Sequence, residues 1–190
     1  MPSKLSLSDR GLDFLYRREA LPGVSNRLHW PGGASGVTLG PGYDMKVRTK
    51  AEVEADLKAI GVPDGTASKA AGGAGKSGTG AKAFAAANKG LVALTSDQEK
   101  RLLKHVVPLY ENAVRNAVTV KVTQHQFDAM VSLAYNIGPG AFRRSSVVAR
   151  LNAGKPDEAA EKFKLWSKSG GKVNQGLVNR RNLEVELFKS

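Results

Sequence analysis

The sequence predicts a mostly helical α+β fold with one small antiparallel sheet near its start. Four serine or threonine residues are each followed, three positions later, by Asp, Glu or Gln, which is the pattern of a helix capping box. Apolar residues at helical spacing follow these caps. Only residues 27–47 combine short β-branched and aromatic stretches with Gly- and Pro-rich turns, which indicates a small sheet.

The capping pairs mark where helices are expected to begin. They are Ser6 with Asp9, Thr49 with Glu52, Thr95 with Gln98 and Thr123 with Gln126. Further helices are predicted over residues 145–151, 156–166 and 178–188. Pro108 is predicted to kink or break the helix that contains it.

Composition divides the 190 residues into two lobes of one domain. Residues 1–93 are predicted to hold the first helix, the hairpin and a Gly/Ala-rich connector, and residues 94–190 a helical C-terminal lobe. The connector, residues 61–90, is expected to be mobile because it is rich in Gly, Ala, Ser and Lys. Its stretch GGAGKSG is not a nucleotide-binding loop, since Ala70 stands where that motif needs its first glycine.

The charge balance favours an anionic partner. Lys and Arg total 29 against 17 Asp and Glu, which gives a formal net charge of +12. No basic motif interleaved with aromatic residues is present, so no nucleic acid partner is expected. The start of the chain has no apolar core of signal-peptide length and no long apolar run follows, which predicts synthesis in the cytoplasm without a signal peptide and no stable membrane insertion.

Residue types narrow the possible chemistry to carboxylates. The chain has no cysteine, which excludes a thiolate nucleophile, a disulfide and a Cys-based zinc site. The three histidines lack metal-ligand spacing, so neither a metal nor another cofactor is predicted. Glu19 closes the first predicted helix, where the negative end of the helix dipole disfavours the charged form and suits a general acid. An exposed glutamate beside Arg17 and Arg18 is the alternative interpretation.

The second candidate carboxylate, Asp44, follows a glycine-rich hairpin. Gly40 and Gly42 leave room for a ligand near the backbone, and the hydroxyl of Thr38 can hold a water molecule. Two carboxylates and a water-holding group suit hydrolysis of a glycosidic bond. A purely structural hairpin remains the alternative at this point.

Two separated regions resemble the phage-type lysozymes, the N-acetylmuramidases of glycoside hydrolase family 24. The first is Glu19 followed by TLGPG at residues 38–42, and the second is TQHQFDAMVSLAYNIGPGAFRRSSVVARLNAG at residues 123–154, continuing through DEAAEKFKLWSKSGGKVNQGLVNRR. The chain departs from the pattern of most phage lysozymes, in which an acid precedes the threonine by a few residues and a histidine follows the last glycine. Here the stretch before Thr38 carries no acid, Tyr43 stands at the histidine position, and the acid is Asp44. This arrangement is similar to the pesticin-related branch.

The resemblance implies a two-lobed lysozyme-like fold and hydrolysis, with inversion, of the β-1,4 bond between N-acetylmuramic acid and N-acetylglucosamine. It implies that Glu19 protonates the glycosidic oxygen, Asp44 acts as base or charge stabiliser, and Thr38 orients the attacking water. The substrate-binding candidates are Gly42, Tyr43, Tyr135 and Asn136. Arg180 or Arg181 is expected to pair with Glu19 and support it.

Peptidoglycan is therefore the expected partner of a monomeric enzyme that acts on the cell wall, in the periplasm, after release or secretion. A holin-dependent release route, or a secretion system with an immunity protein, fits a chain without a signal peptide. Two alternatives stay open: a catalytically silent peptidoglycan-binding protein of the same fold, and a lytic transglycosylase.

Overall fold

The computed structural model describes residues 5–190, which are mostly helical with two short antiparallel hairpins, and this confirms the predicted fold class. The helices are α1 (Asp9–Glu19), α2 (Lys50–Ala59), α3 (Asp64–Ala70), α4 (Gly78–Ala87), α5 (Ser96–Leu103), α6 (Pro108–Ala117), α7 (Gln124–Ile137), α8 (Pro139–Arg143), α9 (Ser146–Asn152), α10 (Pro156–Lys162) and α11 (Gln175–Lys189). Two 3₁₀ helices cover Ala71–Gly73 and Phe163–Trp166. The strands are β1 (Thr38–Leu39), β2 (Tyr43–Asp44), β3 (Lys168–Ser169) and β4 (Lys172–Val173).

The chain divides into two compact units. One comprises Met1–Arg18 with Val107–Ser190, and the other is Glu19–Val106. The two lobes predicted over residues 1–93 and 94–190 stay a prediction.

The unit Glu19–Val106 packs the β1–β2 hairpin and four helices around its own apolar core. Val37, Leu39 and Met45 of the hairpin region are fully buried, together with Val53 and Leu57 of α2. The hairpin region is therefore anchored by side chains that alternate into the core, as expected for a sheet with one apolar face.

The Gly/Ala-rich stretch over residues 61–90 is helical, which corrects the prediction of a mobile connector. Helices α3 and α4 lie within it, and Ala67, Ala70 and Ala81 are fully buried. Alanine has the highest helix propensity, and its small side chain permits close packing of helices. Gly73 shows this packing, because a methyl group at that position would lie 3.1 Å from both Phe84 and Val37.

In the second unit, α7 supplies the centre of the core. Phe127, Met130, Val131 and Leu133 are fully buried, and α11 packs along this helix. Asp128, on the same helix, is also buried: its Oδ1 accepts hydrogen bonds from Ser8 N at 3.1 Å and Gln124 Nε2 at 2.8 Å. Asp128 thereby fixes the segment that leads into α1.

Three of the four predicted capping boxes are present. In each of the pairs Thr49–Glu52, Thr95–Gln98 and Thr123–Gln126, the threonine accepts from the third backbone N–H and the acid or amide accepts from the cap backbone. The prediction of a fourth capping box, formed by Ser6 and Asp9, was wrong. Helix α1 begins at Asp9, and the side chain of Ser8 accepts from Gly11 N at 3.0 Å.

The start of helix α6 follows from local chemistry. Pro108 occupies the first turn of α6, which confirms the predicted break, because proline lacks the N–H that a helix interior needs.

The β3–β4 hairpin was not predicted. Its turn residues Gly170 and Gly171 have φ angles of 56° and 79°, and a Gly-Gly pair between short strands is the sequence signal that could have revealed it.

Candidate active site

Thr38 and Asp44 lie directly opposite each other in the β1–β2 hairpin. The register pairs Thr38 with Asp44 and Leu39 with Tyr43. Since directly opposed residues of an antiparallel pair share a face, the side chains of Thr38 and Asp44 are neighbours, while Leu39 and Tyr43 face the core. The two residues predicted six positions apart are therefore brought together.

Glycines close this hairpin as predicted for a backbone that must turn sharply. Gly40 and Gly42 have φ angles of 61° and 74°, in the left-handed region that other residues avoid. The loop Gly40–Pro41–Gly42 thus returns the chain within three residues, and Gly42 is exposed at its end.

The carboxylate of Asp44 is held by two backbone donors. Gly36 N donates to Oδ2 at 3.1 Å, and Lys46 N donates to Oδ1 at 2.8 Å. Each oxygen has further lone pairs, so Asp44 can still accept a hydrogen bond from a water molecule. The side chain is half-buried and oriented by these bonds.

Gly36 links Asp44 to Thr38. Thr38 Oγ1 donates to Gly36 O at 3.4 Å, while Gly36 N binds Asp44. A Cβ atom on residue 36 would overlap Asp44 Oδ1 and would lie 2.8 Å from Lys46 N. Gly36 therefore holds both side chains in place, a contact that the sequence did not predict, because its only signal was one more glycine in a glycine-rich stretch.

Glu19 is the last residue of α1 and belongs to the same compact unit as Thr38 and Asp44. Its side chain is half-buried, at the helix C-terminus where the dipole is negative. Its preceding neighbour Arg18 has a lowered pKa, because burial and the nearby charge of Arg180 disfavour the guanidinium, while Glu184 opposes that shift. The guanidinium of Arg18 lies over the ring of Phe14 and donates to Phe14 O at 2.6 Å.

Tyr43 is a core residue with a buried polar contact. Its side chain is 0% exposed, and its hydroxyl donates to Asp56 Oδ2 at 2.6 Å. Asp56 Oδ1 lies 3.1 Å from His105 Nδ1, and Arg48 lies 4.1 Å above the tyrosine ring. Burial and the Asp56 hydrogen bond raise the pKa of Tyr43 well above its ordinary value. The predicted sugar contact of Tyr43 stays a prediction that this burial does not support.

The predicted sugar-binding residues Tyr135 and Asn136 lie near the end of α7. The ring of Tyr135 packs against the ring of Tyr110, with centroids 4.6 Å apart and planes tilted by 42°. Asn136 is exposed, and its Oδ1 accepts a hydrogen bond from Arg181 Nη2. The side chain of Asn136 is therefore held in place from α11.

Arg180 and Arg181 both bind a glutamate of their own helix. Glu184 is 0% exposed and accepts from Arg180 Nε at 3.0 Å, Arg181 Nη1 at 2.5 Å and Ser132 Oγ at 2.7 Å. Glu184 was missed, although its spacing of three and four residues from the arginines on one helix was a usable signal. The pairing of Glu19 with Arg180 or Arg181 stays a prediction.

Comparison with known proteins adds sequence and fold relationships. Residues 58–184 match the family model described as phage lysozyme, a range that begins after Glu19, Thr38 and Asp44. The chain is 52% identical over 97 residues to an endolysin of Bacillus phage PZA, a match that covers 51% of this chain and 38% of the relative. It is 39% identical over 97 residues to the endolysin of Salmonella phage P22, covering 51% of this chain and 66% of the relative.

The chain spans little more than a third of the length of the Bacillus phage endolysins that it matches. Among solved structures, a P22 lysozyme variant superposes with a TM-score of 0.67 at 28% identity, covering 98% of this chain and 99% of the other. The muramidase domain of SpmX from Asticaccaulis excentricus superposes with a TM-score of 0.66 at 24% identity, over 98% and 99% of the two chains, a likeness of fold.

No helix within residues 5–190 is long and apolar enough to cross a membrane. The family model covers 127 of the 190 residues, counted from 58 to 184, and the structural match extends over nearly the whole chain. The second of the two resembling regions lies within the matched range, and the fold agrees with the resemblance, so the chain belongs to the phage lysozyme family. The motif formed by Glu19 and residues 38–44 stays a prediction.

Proposed function

We propose that this chain is a peptidoglycan hydrolase of the lysozyme type, which cleaves the β-1,4 bond between N-acetylmuramic acid and N-acetylglucosamine. The observation that carries the proposal is the opposed pair Thr38 and Asp44, both hydrogen-bonded to Gly36, in a chain of the phage lysozyme family. A hydroxyl and a carboxylate on one face of a rigid hairpin can hold one water molecule between them.

In this proposal Glu19 is the general acid that protonates the leaving glycosidic oxygen. Asp44 accepts a proton from the attacking water, or stabilises the positive charge that develops on the sugar, and Thr38 orients the water. An inverting reaction follows if the water attacks from the face opposite the leaving oxygen, which requires carboxylates separated widely enough to admit it. The two backbone donors to Asp44 fix its direction before substrate arrives.

Sugar contacts are proposed within each unit by itself: at Gly42 in the unit Glu19–Val106, and at Tyr135 and Asn136 in the other unit. Gly42 has no side chain to obstruct a glycan, and Asn136 offers its amide N–H₂ because its oxygen is bound by Arg181. Tyr43 is left out of this set, since its ring is buried and its hydroxyl binds Asp56. Its role is to hold the hairpin on the core.

The net charge of +12 supports a polyanionic substrate, because the stem peptides of peptidoglycan carry carboxylates. Endolysins are among its relatives, so release to the wall by a phage route is part of the proposal. Delivery by a secretion machine with an immunity protein, and a monomeric state, remain predictions.

The direct test replaces Glu19 by Gln and, separately, Asp44 by Asn. Each variant is expected to lose at least about a hundredfold of the rate at which purified sacculi release reducing sugar, while circular dichroism shows that it is folded at the assay temperature. Asp44→Asn is expected to melt at a lower temperature than wild type, because its amide N–H₂ faces a backbone N–H donor. Glu186→Gln on the exposed face of α11 is the matched control and keeps full activity.

Product analysis distinguishes the alternatives. Reducing N-acetylmuramic acid ends support the proposal, and the anomer first formed, read by NMR, reports inversion. Products with 1,6-anhydro ends would show a lytic transglycosylase instead. Binding to sacculi without release of any fragment would show a catalytically silent binding protein.

A further inference from the structure

A groove outside the hairpin combines one tryptophan with several cations. It has a volume of about 270 Å³ and lies between the segment 23–30 and helix α4 of the unit Glu19–Val106. We call it the Trp30 groove. The residues that line it include Arg27, His29, Trp30, Lys82, Ala85 and Lys89.

The rim of the Trp30 groove is basic. Lys82 and Lys89 are exposed, Arg27 and His29 are half-buried, and no Asp or Glu is among the described lining residues. Three permanent cations around one small cavity, without a carboxylate to neutralise them, attract an anionic ligand. The groove therefore favours a ligand that carries negative charge.

Trp30 gives the groove a fixed aromatic surface. Its indole Nε1 donates to Ser35 O at 3.2 Å, which sets the orientation of the ring. Lys82 Nζ lies 5.6 Å from the ring centre, so a cation stands over the same surface. An aromatic ring beside a cation can contact the apolar face of a sugar while the cation binds an attached carboxylate.

The groove is tied to the hairpin through backbone contacts. Ser77, just before α4, forms a β-bridge with Gly36, and Gly78 N donates to Ser35 O at 3.2 Å. Ser35 O also accepts from Trp30, and Gly36 binds both Thr38 and Asp44. Residues 35 and 36, which do not line the groove, thus connect Trp30 and the start of α4 to the candidate catalytic pair.

We propose that the Trp30 groove binds a stem-peptide-bearing sugar of the peptidoglycan strand, with the sugar on Trp30 and the peptide carboxylate at Lys82 and Lys89. This inference rests on the proposed hydrolase function and adds a subsite that recognises acidic peptide as well as glycan. Lys82 and Lys89 come from the Gly/Ala-rich stretch 61–90, whose helix α4 builds one wall of the groove.

Other anions fit the groove less well. A single-stranded nucleic acid is bound by a continuous track of cations with several stacking aromatics, whereas this groove contains one aromatic ring. A membrane surface is bound by protruding large apolar side chains, whereas the apolar wall from α4 consists of alanines lining a concave site. A discrete acidic saccharide suits a concave site with this charge.

The test measures binding by the full chain carrying Glu19→Gln, so that no probe is consumed. The probe is a GlcNAc–MurNAc tetrasaccharide with tetrapeptide stems, and the same tetrasaccharide without peptides is the comparison. Lys82→Glu/Lys89→Glu is expected to weaken binding of the peptide-bearing probe about tenfold. Lys50→Glu/Lys69→Glu is the matched control, with the same charge change at exposed lysines of the same unit outside the groove, and is expected to bind as the parent does.

The indole signal of Trp30 gives a local readout. In ¹⁵N NMR spectra it is assigned by its loss in Trp30→Phe, and it is expected to shift when the peptide-bearing probe is added. Trp30→Leu is expected to weaken binding more than Trp30→Phe, which keeps an aromatic ring. If the indole signal does not move, or if both charge variants bind equally, the inference is wrong.

Preferential binding of a DNA oligonucleotide or of anionic lipid vesicles at the groove, with no loss of wall-fragment affinity in Lys82→Glu/Lys89→Glu, would also overturn it. The proposed function is judged separately, by whether the wild-type chain releases reducing ends from purified sacculi. Failure of that assay overturns the hydrolase, whereas failure of the binding assay overturns only the groove.

Discussion

Gly36 lies against the carboxylate of Asp44 so closely that a methyl group at residue 36 would overlap Asp44 Oδ1. The same glycine donates its N–H to Asp44 and accepts the hydroxyl of Thr38 through its carbonyl. One residue without a side chain therefore sets the positions of the proposed base and of the proposed water-holding group.

Gly36→Ala is expected to lower hydrolysis of sacculi about a hundredfold, because a shift of the carboxylate by about 1 Å misaligns the attacking water. The overlap is relieved by moving Asp44 and Lys46, at a cost of about 1–3 kcal/mol of unfolding free energy. Urea unfolding and initial rates on the same preparation check both parts.

Gly80→Ala is the control for this substitution. Gly80 lies within α4, and a methyl group there would meet no atom within 4 Å. It is expected to leave activity unchanged and to raise stability by about 0.4–1 kcal/mol, since alanine restricts the unfolded chain. Equal activities of the two alanine variants would contradict the positioning role of Gly36.

Thr38 is 3% exposed, and its hydroxyl can be removed without changing the shape of the side chain. Thr38→Val is expected to lower the rate about ten- to a hundredfold, because the attacking water loses one hydrogen-bond partner. The loss of stability is expected to be about 1 kcal/mol. Thr38→Ser, which keeps the hydroxyl, is expected to recover most of the rate, and a serine variant as slow as the valine variant would argue against orientation of water.

The buried hydroxyl of Tyr43 predicts a pH dependence of stability. Burial and the Asp56 hydrogen bond raise the pKa of Tyr43 in the folded state, while the unfolded chain ionises near the ordinary tyrosine pKa of about 10. Between these two values the folded state binds more protons, so stability is full below about pH 10 and falls as the pH rises further.

Tyr43→Phe removes this effect. The variant is expected to be about 1.5–3 kcal/mol less stable at pH 7, because Asp56 loses a hydrogen bond. The gap between wild type and variant is expected to narrow above pH 10, as measured by urea unfolding from pH 8 to 11. A constant gap across that range would mean that the folded pKa of Tyr43 is not raised.

The sequence predicted helices best where a cap and an apolar stripe agreed. Thr49, Thr95 and Thr123 each begin a helix as predicted, because a capping box involves only neighbouring residues. The predicted cap at Ser6 was wrong because Ser8, two positions later, caps the helix and is held by Asp128 of α7. That contact spans 120 residues and leaves no local signal in the sequence.

The prediction of a mobile connector over residues 61–90 was wrong for a related reason. Its many glycines and alanines indicated a connector, yet alanine both favours helix and packs closely once a core is available. Ala67, Ala70 and Ala81 are buried by tertiary packing that composition does not report. In the candidate site, the roles of Thr38 and Asp44 stay predictions, although the hairpin that places them opposite each other is local in sequence. The hydroxyl of the buried Tyr43 binds Asp56, which belongs to no sequence motif.

The buried carboxylate of Glu184 carries the last prediction. It accepts hydrogen bonds from Arg180, Arg181 and Ser132, so that two buried guanidinium groups depend on one negative charge. Glu184→Gln keeps the shape but removes the charge, and its amide N–H₂ faces groups that are themselves donors. The expected cost is about 3–5 kcal/mol of unfolding free energy, because uncompensated buried charge is strongly destabilising.

Glu186→Gln, on an exposed position of the same helix, is the matched control and is expected to change stability by less than about 0.5 kcal/mol. Because Arg181 also binds Asn136, Glu184→Gln is further expected to raise KM for peptidoglycan more than it lowers kcat, if the variant is assayed below its unfolding temperature. A small loss of stability, close to that of the control, would show that the arginines find other partners when Glu184 is neutral.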